Sequence, residues 1–239
     1  MKKEKEQRSP TPAATIMLCR DQPEGIEVLM VRRNTKLAFA GGLWVFPGGK
    51  IDSGEMERAA NEQEAAALAA LRELKEETDI DVTLNDLTLF RHWTTPASEP
   101  RRFATWFFYA KLNKEQVVTI DDSEIKDYQW LNPRLALEKF ERGELPMINP
   151  TILSLMLLDN CKSCQDVDEL MGNLEVTFIL PVLKFNNKNV VALYEGDAGY
   201  ISGDPEVPGP RHRFTINFTK RKYHFEYEGC DEVIPVTLI

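Results

Sequence analysis

The stretch Arg72-Glu73-Leu74-Lys75-Glu76-Glu77 decides the interpretation of this chain, and it follows Phe46-Pro47-Gly48-Gly49 after a spacer. At 3.6 residues per helical turn, Glu73, Glu76 and Glu77 share one face of a helix. Like charges held so close are destabilising unless a cation lies among them. Hard divalent ions such as Mg²⁺ bind carboxylate and phosphate oxygens together. The pattern therefore predicts a divalent-metal site for a phosphorylated compound.

Composition places the chain among globular proteins. It has 239 residues, of which 43% are apolar and 28% charged, so one large domain or one domain with an appendage is expected. The net charge of −9 provides no global attraction for nucleic acid or for an anionic membrane surface. No apolar run approaches the roughly 20 residues that span a bilayer. We therefore expect neither nucleic acid nor membrane as a partner.

The cysteines and the N-terminal residues indicate a cytoplasmic location. Four cysteines in a chain of this length do not suggest a disulfide scaffold, and the lone Cys161-x-x-Cys164 pair is a weak zinc signal that fits a helix end. Residues 1–10 begin with the charged run Met1–Arg8, which lacks the apolar core of a secretory signal. We interpret residues 1–10 as a disordered tail.

Segments rich in apolar residues, separated by turn-forming residues, predict the order of elements. Ala13–Arg20 and Gly25–Arg33 indicate a β-hairpin, and Ser53–Thr78 indicates one long helix or two short ones. We assign residues 11–164 to the principal domain and 165–239 to a small β-rich extension. The strands predicted for the extension are Glu175–Phe185, Val190–Tyr194, Arg213–Phe218 and Tyr223–Tyr227.

At the glutamate-rich stretch the chain resembles the Nudix hydrolase family, whose box reads G-x5-E-x7-R-E-U-x-E-E-x-G-U, with U aliphatic. The matching residues are Gly49, Arg72, Glu73, Leu74, Glu76, Glu77 and Ile80. Glu55 has the required distance from Gly49, but sixteen residues instead of seven separate it from Arg72, which indicates a nine-residue insertion. Glu64 satisfies only the second spacing, so the equivalent of the first box glutamate is either Glu55 or Glu64.

Asp79 stands where the box has a glycine after the helix. That position calls for a left-handed C-cap, which aspartate can adopt at modest strain.

The resemblance implies a mixed β-sheet sandwiched between helices, and a hydrolase for a nucleoside diphosphate linked to another group. It implies that Glu73, Glu76 and Glu77 bind Mg²⁺ or Mn²⁺ and that Arg72 orients these carboxylates. Glu76 and Arg72 are accordingly candidate catalytic residues. Such families often place a further acid beyond the box, and Glu124 is the candidate here, with Asp127 nearby.

A second segment is similar to the coenzyme A diphosphatases of this family, whose pattern reads L-L-T-x-R-[SA]-x-x-[LM]-x4-G-x3-F-P-G-G. Residues 29–49 align with it without gaps, and Val31 and Asn34 depart from it. This resemblance implies cleavage of coenzyme A or acyl-coenzyme A to 3′-phospho-AMP and (acyl-)phosphopantetheine. One alternative is a diphosphatase for NADH, ADP-ribose or a nucleotide sugar. Another is a ligand sensor without catalytic activity.

Candidate substrate-binding groups follow from chemistry. Arg33 or Arg102 could hold a phosphate through two parallel hydrogen bonds. Gly48 and Gly49, beside Pro47, predict a loop with backbone conformations closed to other residues. The extension is expected either to cover the cleft or to pair two subunits as a homodimer, and the sequence leaves both open.

Overall fold

The computed structural model describes residues 9–120, 122–186, 189–217, 219–220, 222–230 and 234. The predicted tail lies outside these ranges except for Ser9 and Pro10, and so does Phe218 at the end of a predicted strand. None of the helices within the described ranges has both the length and the apolarity needed to span a bilayer.

The principal sheet has eight strands and mixes parallel with antiparallel pairing. Its strands are β1 (Thr11–Gln22), β2 (Gly25–Arg33), β3 (Trp44–Val45), β4 (Gly48–Lys50), β5 (Leu87–Thr94), β6 (Phe103–Lys111), β7 (Ile125–Leu131) and β8 (Thr177–Ile179). The order β3-β2-β1-β6-β5-β8 runs across the sheet, while β4 pairs with β1 and β7 pairs with β2. Strand β1 pairs parallel with β6 and antiparallel with β2 and β4, so it lies at the centre of the sheet.

Helices cover both faces of this sheet. They are α1 (Ser53–Arg58), α2 (Glu62–Thr78), α3 (Pro133–Arg142), α4 (Asn149–Leu157) and α5 (Cys164–Gly172), and a 3₁₀ turn spans Leu84–Asp86. Alternate β1 residues point to opposite faces, because side chains alternate along a strand. Ile16 packs with Ala70 and Leu74 of α2, whereas Met17 packs with the core formed by α3, α4 and α5. The predicted sandwich is confirmed.

A separate four-stranded antiparallel sheet follows. Its strands are β9 (Val182–Phe185), β10 (Asn189–Leu193), β11 (Arg211–Asn217) and β12 (Lys222–Glu228), in the order β12-β11-β10-β9. Ala192, Phe214 and Phe225 from this sheet join the same apolar cluster as Leu155 of α4 and Met17 of β1. The small β-rich extension is therefore present and shares a core with one face of the principal sheet.

Two details after residue 164 differ from the sequence expectation. The segment first forms α5, whose capping box joins Ser163 and Asp166. The prediction of a single strand over Glu175–Phe185 is wrong. The segment forms two strands instead: β8, which pairs with β5, and β9, which pairs with β10. Pro181 stands between them and has no N–H to donate to a continuous ladder.

Candidate active site

Side chains at the two glycines before the long helix would meet neighbouring atoms. A Cβ atom on Gly49 would lie 2.1 Å from Oε1 of Glu73, and one on Gly48 would lie 2.4 Å from the carbonyl oxygen of Ala14. Neither glycine has a positive φ. The expectation of an unusual backbone conformation here is therefore wrong, and the absent side chains instead let β4 lie against β1 and α2.

Arg72 ties the acidic residues of the box together. Its Nε donates to Oε1 of Glu55 at 2.8 Å, and its Nη1 donates to Oε1 of Glu73 at 2.8 Å and to Oε2 of Glu76 at 3.0 Å. Its Nη2 donates to the carbonyl oxygen of Lys50 at 2.9 Å. These charge-assisted bonds give the three carboxylates a common anchor.

Of the two candidates for the first box glutamate, Glu55 is the one that accepts a hydrogen bond from Arg72. It is 2% exposed, and its Oε2 also accepts a hydrogen bond from the backbone N–H of Asp52 at 2.8 Å. The inserted residues end α1 at Arg58 and start α2 with Asn61 as its N-cap, so the helix is not continuous. Glu64 is exposed at the start of the new helix, where its Oε2 accepts from the N–H of Ala60 at 2.8 Å and its N–H donates to Oδ1 of the N-cap Asn61 at 2.9 Å.

The left-handed C-cap expected at Asp79 is confirmed. Asp79 has φ 58° and ψ 17°, and its N–H donates to the carbonyl oxygen of Lys75 at 2.9 Å. The helix therefore ends as the box requires, without the usual glycine.

Glu77 is the most deeply buried of the three predicted metal ligands. Its Oε2 accepts from the N–H of Gly48 at 3.0 Å, and its Oε1 lies 3.6 Å from Nη1 of Arg33. Within the part of the chain that the structure describes, the Oε1 of Glu77 and the Nε of Arg33 are buried without a hydrogen-bond partner. Burial raises the pKa of Glu77 to about 8, although Gly48 and Arg33 act in the opposite direction and Glu73 adds to the rise. Burial also raises the pKa of Glu73.

The predicted acid after the box lies at the same place. Oε2 of Glu124 is 3.5 Å from Nη2 of Arg33, so Arg33 lies between Glu124 and Glu77. The carbonyl oxygen of Glu124 accepts from the N–H of Asn34 at 2.7 Å, which holds this segment against the end of β2. Asp127 is not among the cleft-lining residues; its carboxylate accepts from the N–H of Tyr128.

The three predicted metal ligands line one cleft of about 1590 Å³ together with Arg33, Arg72 and Glu124. We call the acidic and basic side the carboxylate wall; it comprises Arg33, Gly48, Gly49, Arg72, Glu73, Glu76, Glu77 and Glu124. We call another side the apolar wall; it comprises Phe140, Met147, Pro181, Leu183, Val190 and Ile216. Sequence analysis did not identify the apolar wall, since its members come from α3, from the segment before α4, from the connection between β8 and β9 and from the second sheet.

The structure separates the two arginines of the loop between β5 and β6. Arg101 lines the cleft, whereas Arg102 is not among the lining residues and its Nε donates to the carbonyl oxygen of Thr95 at 3.1 Å. Of the predicted substrate-binding residues, Arg33, Gly48 and Gly49 therefore come together in the cleft and Arg102 does not. No sequence signal distinguished Arg101 from its neighbour.

The carboxylate wall has ligand chemistry that suits a hard divalent ion. Among the residues that the structure describes, no three Asp, Glu, His or Cys side chains are close enough together to enclose one. Glu73 and Glu76 are turned toward Arg72, and the buried Oε1 of Glu77 lacks a hydrogen-bond partner. Three carboxylates beside one cleft, one of them with an oxygen left unsatisfied, fit a Mg²⁺-type donor set.

Comparison with known proteins identifies the family. The model described as "NUDIX domain" matches residues 9–149. Putative nudix hydrolase 7 of Caenorhabditis elegans is 26% identical over 225 residues, covering 79% of this chain and 74% of that protein. The crystal structure of a NUDIX hydrolase from Alicyclobacillus acidocaldarius superposes with a TM-score of 0.60 at 26% identity, covering 70% of this chain and 97% of that one.

A shorter match concerns the acyl-coenzyme A diphosphatase of Homo sapiens. It is 29% identical over 114 residues, which cover 46% of this chain and 30% of that protein. Less than a third of that relative's length is thus matched. The similarity supports the family and does not by itself show the substrate. From the family match, the box residues around one cleft and the shared fold, this chain belongs to the Nudix hydrolase family and is a Nudix diphosphatase.

Proposed function

We propose that this diphosphatase hydrolyses coenzyme A or acyl-coenzyme A, releasing 3′-phospho-AMP and (acyl-)phosphopantetheine. Three observations support this substrate: the resemblance of residues 29–49 to the coenzyme A segment, the match to an acyl-coenzyme A diphosphatase, and the size of the cleft. In the reaction, the oxygen of a water molecule bonds to one phosphorus of the diphosphate. The bond from that phosphorus to the bridging oxygen breaks, and the bridging oxygen stays with the departing half.

The observation that carries the reaction type is the incomplete bonding at the carboxylate wall. Glu77 is 4% exposed, and its Oε1 has no hydrogen-bond partner despite that burial. Leaving a buried carboxylate oxygen unsatisfied costs free energy, so a ligand that completes it would be bound favourably. A cation beside a diphosphate supplies such a ligand.

We assign Glu73, Glu76 and Glu77 as the residues that would hold Mg²⁺ or Mn²⁺. When bound, such an ion neutralises diphosphate charge and lowers the pKa of a water ligand. Nudix hydrolases in general use divalent ions, which agrees with this donor set.

The remaining residues of the carboxylate wall have separate roles in this proposal. Arg72 positions Glu73 and Glu76 through its hydrogen bonds of 2.8 and 3.0 Å. Glu124 lines the cleft and is assigned as the acceptor of the proton that the attacking water loses. The Nε hydrogen of Arg33 lacks a hydrogen-bond acceptor among the described residues, and a phosphate oxygen in the cleft would supply one.

The basic contact from the loop between β5 and β6 is assigned to Arg101. Arg102, which the sequence offered for this role, bonds back to Thr95 within its own loop. Arg101 is exposed and lines the cleft, so it can reach an anionic group there.

A substrate panel tests the proposal. Coenzyme A, NADH, ADP-ribose and a nucleotide sugar are each incubated with the protein over a titration of Mg²⁺ or Mn²⁺, and products are identified by mass. We expect coenzyme A to give the highest kcat/KM and turnover to require the metal. Equal or faster cleavage of the other substrates would overturn the coenzyme A assignment while leaving the diphosphatase intact.

Glu76→Gln with Glu64→Gln as its control tests the residue assignment. Both are exposed glutamates of α2, but only Glu76 lines the cleft. We expect Glu76→Gln to reduce kcat by about 10²-fold or more, because the loss of a metal ligand removes several kcal/mol of charge stabilisation. Glu64→Gln retains an acceptor oxygen for the helix cap and should behave like the parent. Similar activities for the two variants would contradict the assignment of Glu76 as a metal ligand.

A further inference from the structure

The apolar wall has no role in diphosphate chemistry, yet it borders the same cleft as the carboxylate wall. Phe140 and Met147 come from α3 and the segment that follows it, and Leu183, Val190 and Ile216 come from the second sheet. Polar ligands gain little from such a surface, whereas an aliphatic group gains by leaving water. Such a surface favours a ligand with a hydrocarbon portion.

The cleft is larger than the charged part of a nucleotide diphosphate requires. Its volume of about 1590 Å³ exceeds the ~300–1,000 Å³ found for most small-molecule sites. The apolar wall is part of the lining of this cleft. One continuous cleft with a charged wall and an apolar wall matches a ligand that joins a diphosphate to an aliphatic chain.

We propose that the apolar wall binds the acyl chain of an acyl-coenzyme A, and that the second sheet thereby sets the preference for chain length. This inference rests on the proposed function and adds to it the identity of the preferred substrate form. The C-terminal extension is then part of the substrate site, and the tail it recognises is aliphatic.

Among the residues that the second sheet contributes to the apolar wall, Leu183 is the one whose side chain can be enlarged into the cleft. Val190 and Ile216 are opposite each other on β10 and β11 and are 8% and 7% exposed, so the core holds them. Leu183 is half-buried and packs against that core from the next strand, β9. A larger side chain at Leu183 can extend into the cleft, whereas enlargement at Val190 or Ile216 would meet packed atoms.

The test measures kcat/KM for coenzyme A, hexanoyl-coenzyme A and dodecanoyl-coenzyme A with the full chain and Mg²⁺. We expect kcat/KM to rise with chain length, by up to about fourfold for each methylene that is buried. Leu183→Trp should lower the ratio of the dodecanoyl to the coenzyme A value by about tenfold or more, because the indole occupies the space of the chain. A ratio taken within one preparation does not depend on the fraction of folded protein.

Leu180→Trp is the matched control. Leu180 lies three residues earlier, is 46% exposed and does not line the cleft. Its kcat/KM values should equal those of the parent for all three compounds. Leu183→Ser is the second variant, since a smaller polar residue avoids crowding and should still weaken the chain-length dependence.

The outcomes separate the two proposals. Rates that do not depend on chain length, or a ratio unchanged in both Leu183 variants while coenzyme A is still cleaved, overturn the acyl-chain site and leave the proposed function standing. Failure of all three compounds while ADP-ribose or NADH is cleaved overturns the proposed function, and the acyl-chain site falls with it. A chain-length dependence that Leu183→Trp removes and Leu180→Trp preserves supports both.

Discussion

Two arginine–carboxylate pairs in this molecule, Arg213–Asp197 and Arg33–Glu77, are both largely buried but differ in how fully they are bonded. Both oxygens of Asp197 accept from Arg213 at 2.7 Å. The same carboxylate also accepts from the backbone N–H groups of His212 and Gly199 at 2.9 and 2.8 Å. In the second pair the nearest nitrogen and oxygen are 3.6 Å apart, and Glu77 keeps one oxygen without a hydrogen-bond partner.

The pKa values of the two acids shift in opposite directions for this reason. Burial alone would raise the pKa of Asp197, but the bonds from Arg213, His212 and Gly199 lower it below its ordinary value. Burial dominates at Glu77 and raises its pKa to about 8. A complete network supports the fold, while an incomplete one costs stability and leaves bonding capacity for a ligand.

The largest effect on stability is expected from Asp197→Asn. The amide cannot accept all four hydrogen bonds and removes the carboxylate charge that pairs directly with the buried Arg213, so the free energy of unfolding should fall by about 3–5 kcal/mol. Urea unfolding at pH 7 measures it. Asp204→Asn is the control, because Asp204 is exposed on the same loop and its carboxylate accepts from Glu206 N–H. Equal stabilities for the two variants would show that this network is dispensable.

Glu77→Gln should have the opposite effect on stability and a large effect on activity. We expect kcat to fall by about 10²-fold, through loss of a metal ligand. We also expect the free energy of unfolding without divalent ions to rise by on the order of 2 kcal/mol near pH 8.

The sign of the pH dependence at Glu77 follows from its raised pKa. Above the ordinary value of 4.5 the unfolded carboxyl has lost its proton, whereas the folded one keeps its proton until about pH 8. The folded state thus binds more protons, so the parent loses stability as pH rises through this window. Urea unfolding at pH 5 and pH 8 should therefore show a gap between variant and parent that widens with pH. A constant gap would contradict the account.

The smallest effects on stability and activity are expected from alanine substitutions at Gly49 and Gly54. Gly49→Ala places Cβ against the end of the Glu73 side chain, which can move at low cost, so stability should change by less than ~1 kcal/mol. The displaced carboxylate should reduce kcat by about tenfold, since small misplacements at a site are costly.

Gly54→Ala is the control for this pair, because its Cβ would meet no atom within 4 Å on helix α1. It should raise stability by up to about 1 kcal/mol and leave kcat unchanged. Steady-state kinetics and thermal unfolding measure both variants, and equal kcat values would refute the spatial role of Gly49.

Much of the fold could be predicted from local patterns. Runs rich in apolar residues identified β1 and β2, and the helical spacing of Glu73, Glu76 and Glu77 identified the face of α2 that borders the cleft. The left-handed cap at Asp79 followed from its position in the box. These features depend on neighbours in sequence, which a periodicity reports directly.

The errors concern contacts between distant segments. The space around Gly49 depends on the side chain of Glu73. Glu55 instead of Glu64 contacts Arg72 because the helix is broken between them, and the spacing of the glutamates in the sequence does not reveal that break. The capping box of Ser163 and Asp166 was a local signal for α5 that could have been found. Pro181 could likewise have divided the predicted strand.

By itself, the sequence determined the class of chemistry, since three carboxylates on one helical face and a Pro-Gly-Gly run suffice to indicate a diphosphate and a hard cation. Only the tertiary structure decided which groups meet: Arg33 between Glu77 and Glu124, and Leu183 facing the same cleft from the second sheet. The reason is that side-chain spacing along a helix is set by its period, while a cleft is set by packing between segments far apart in the chain.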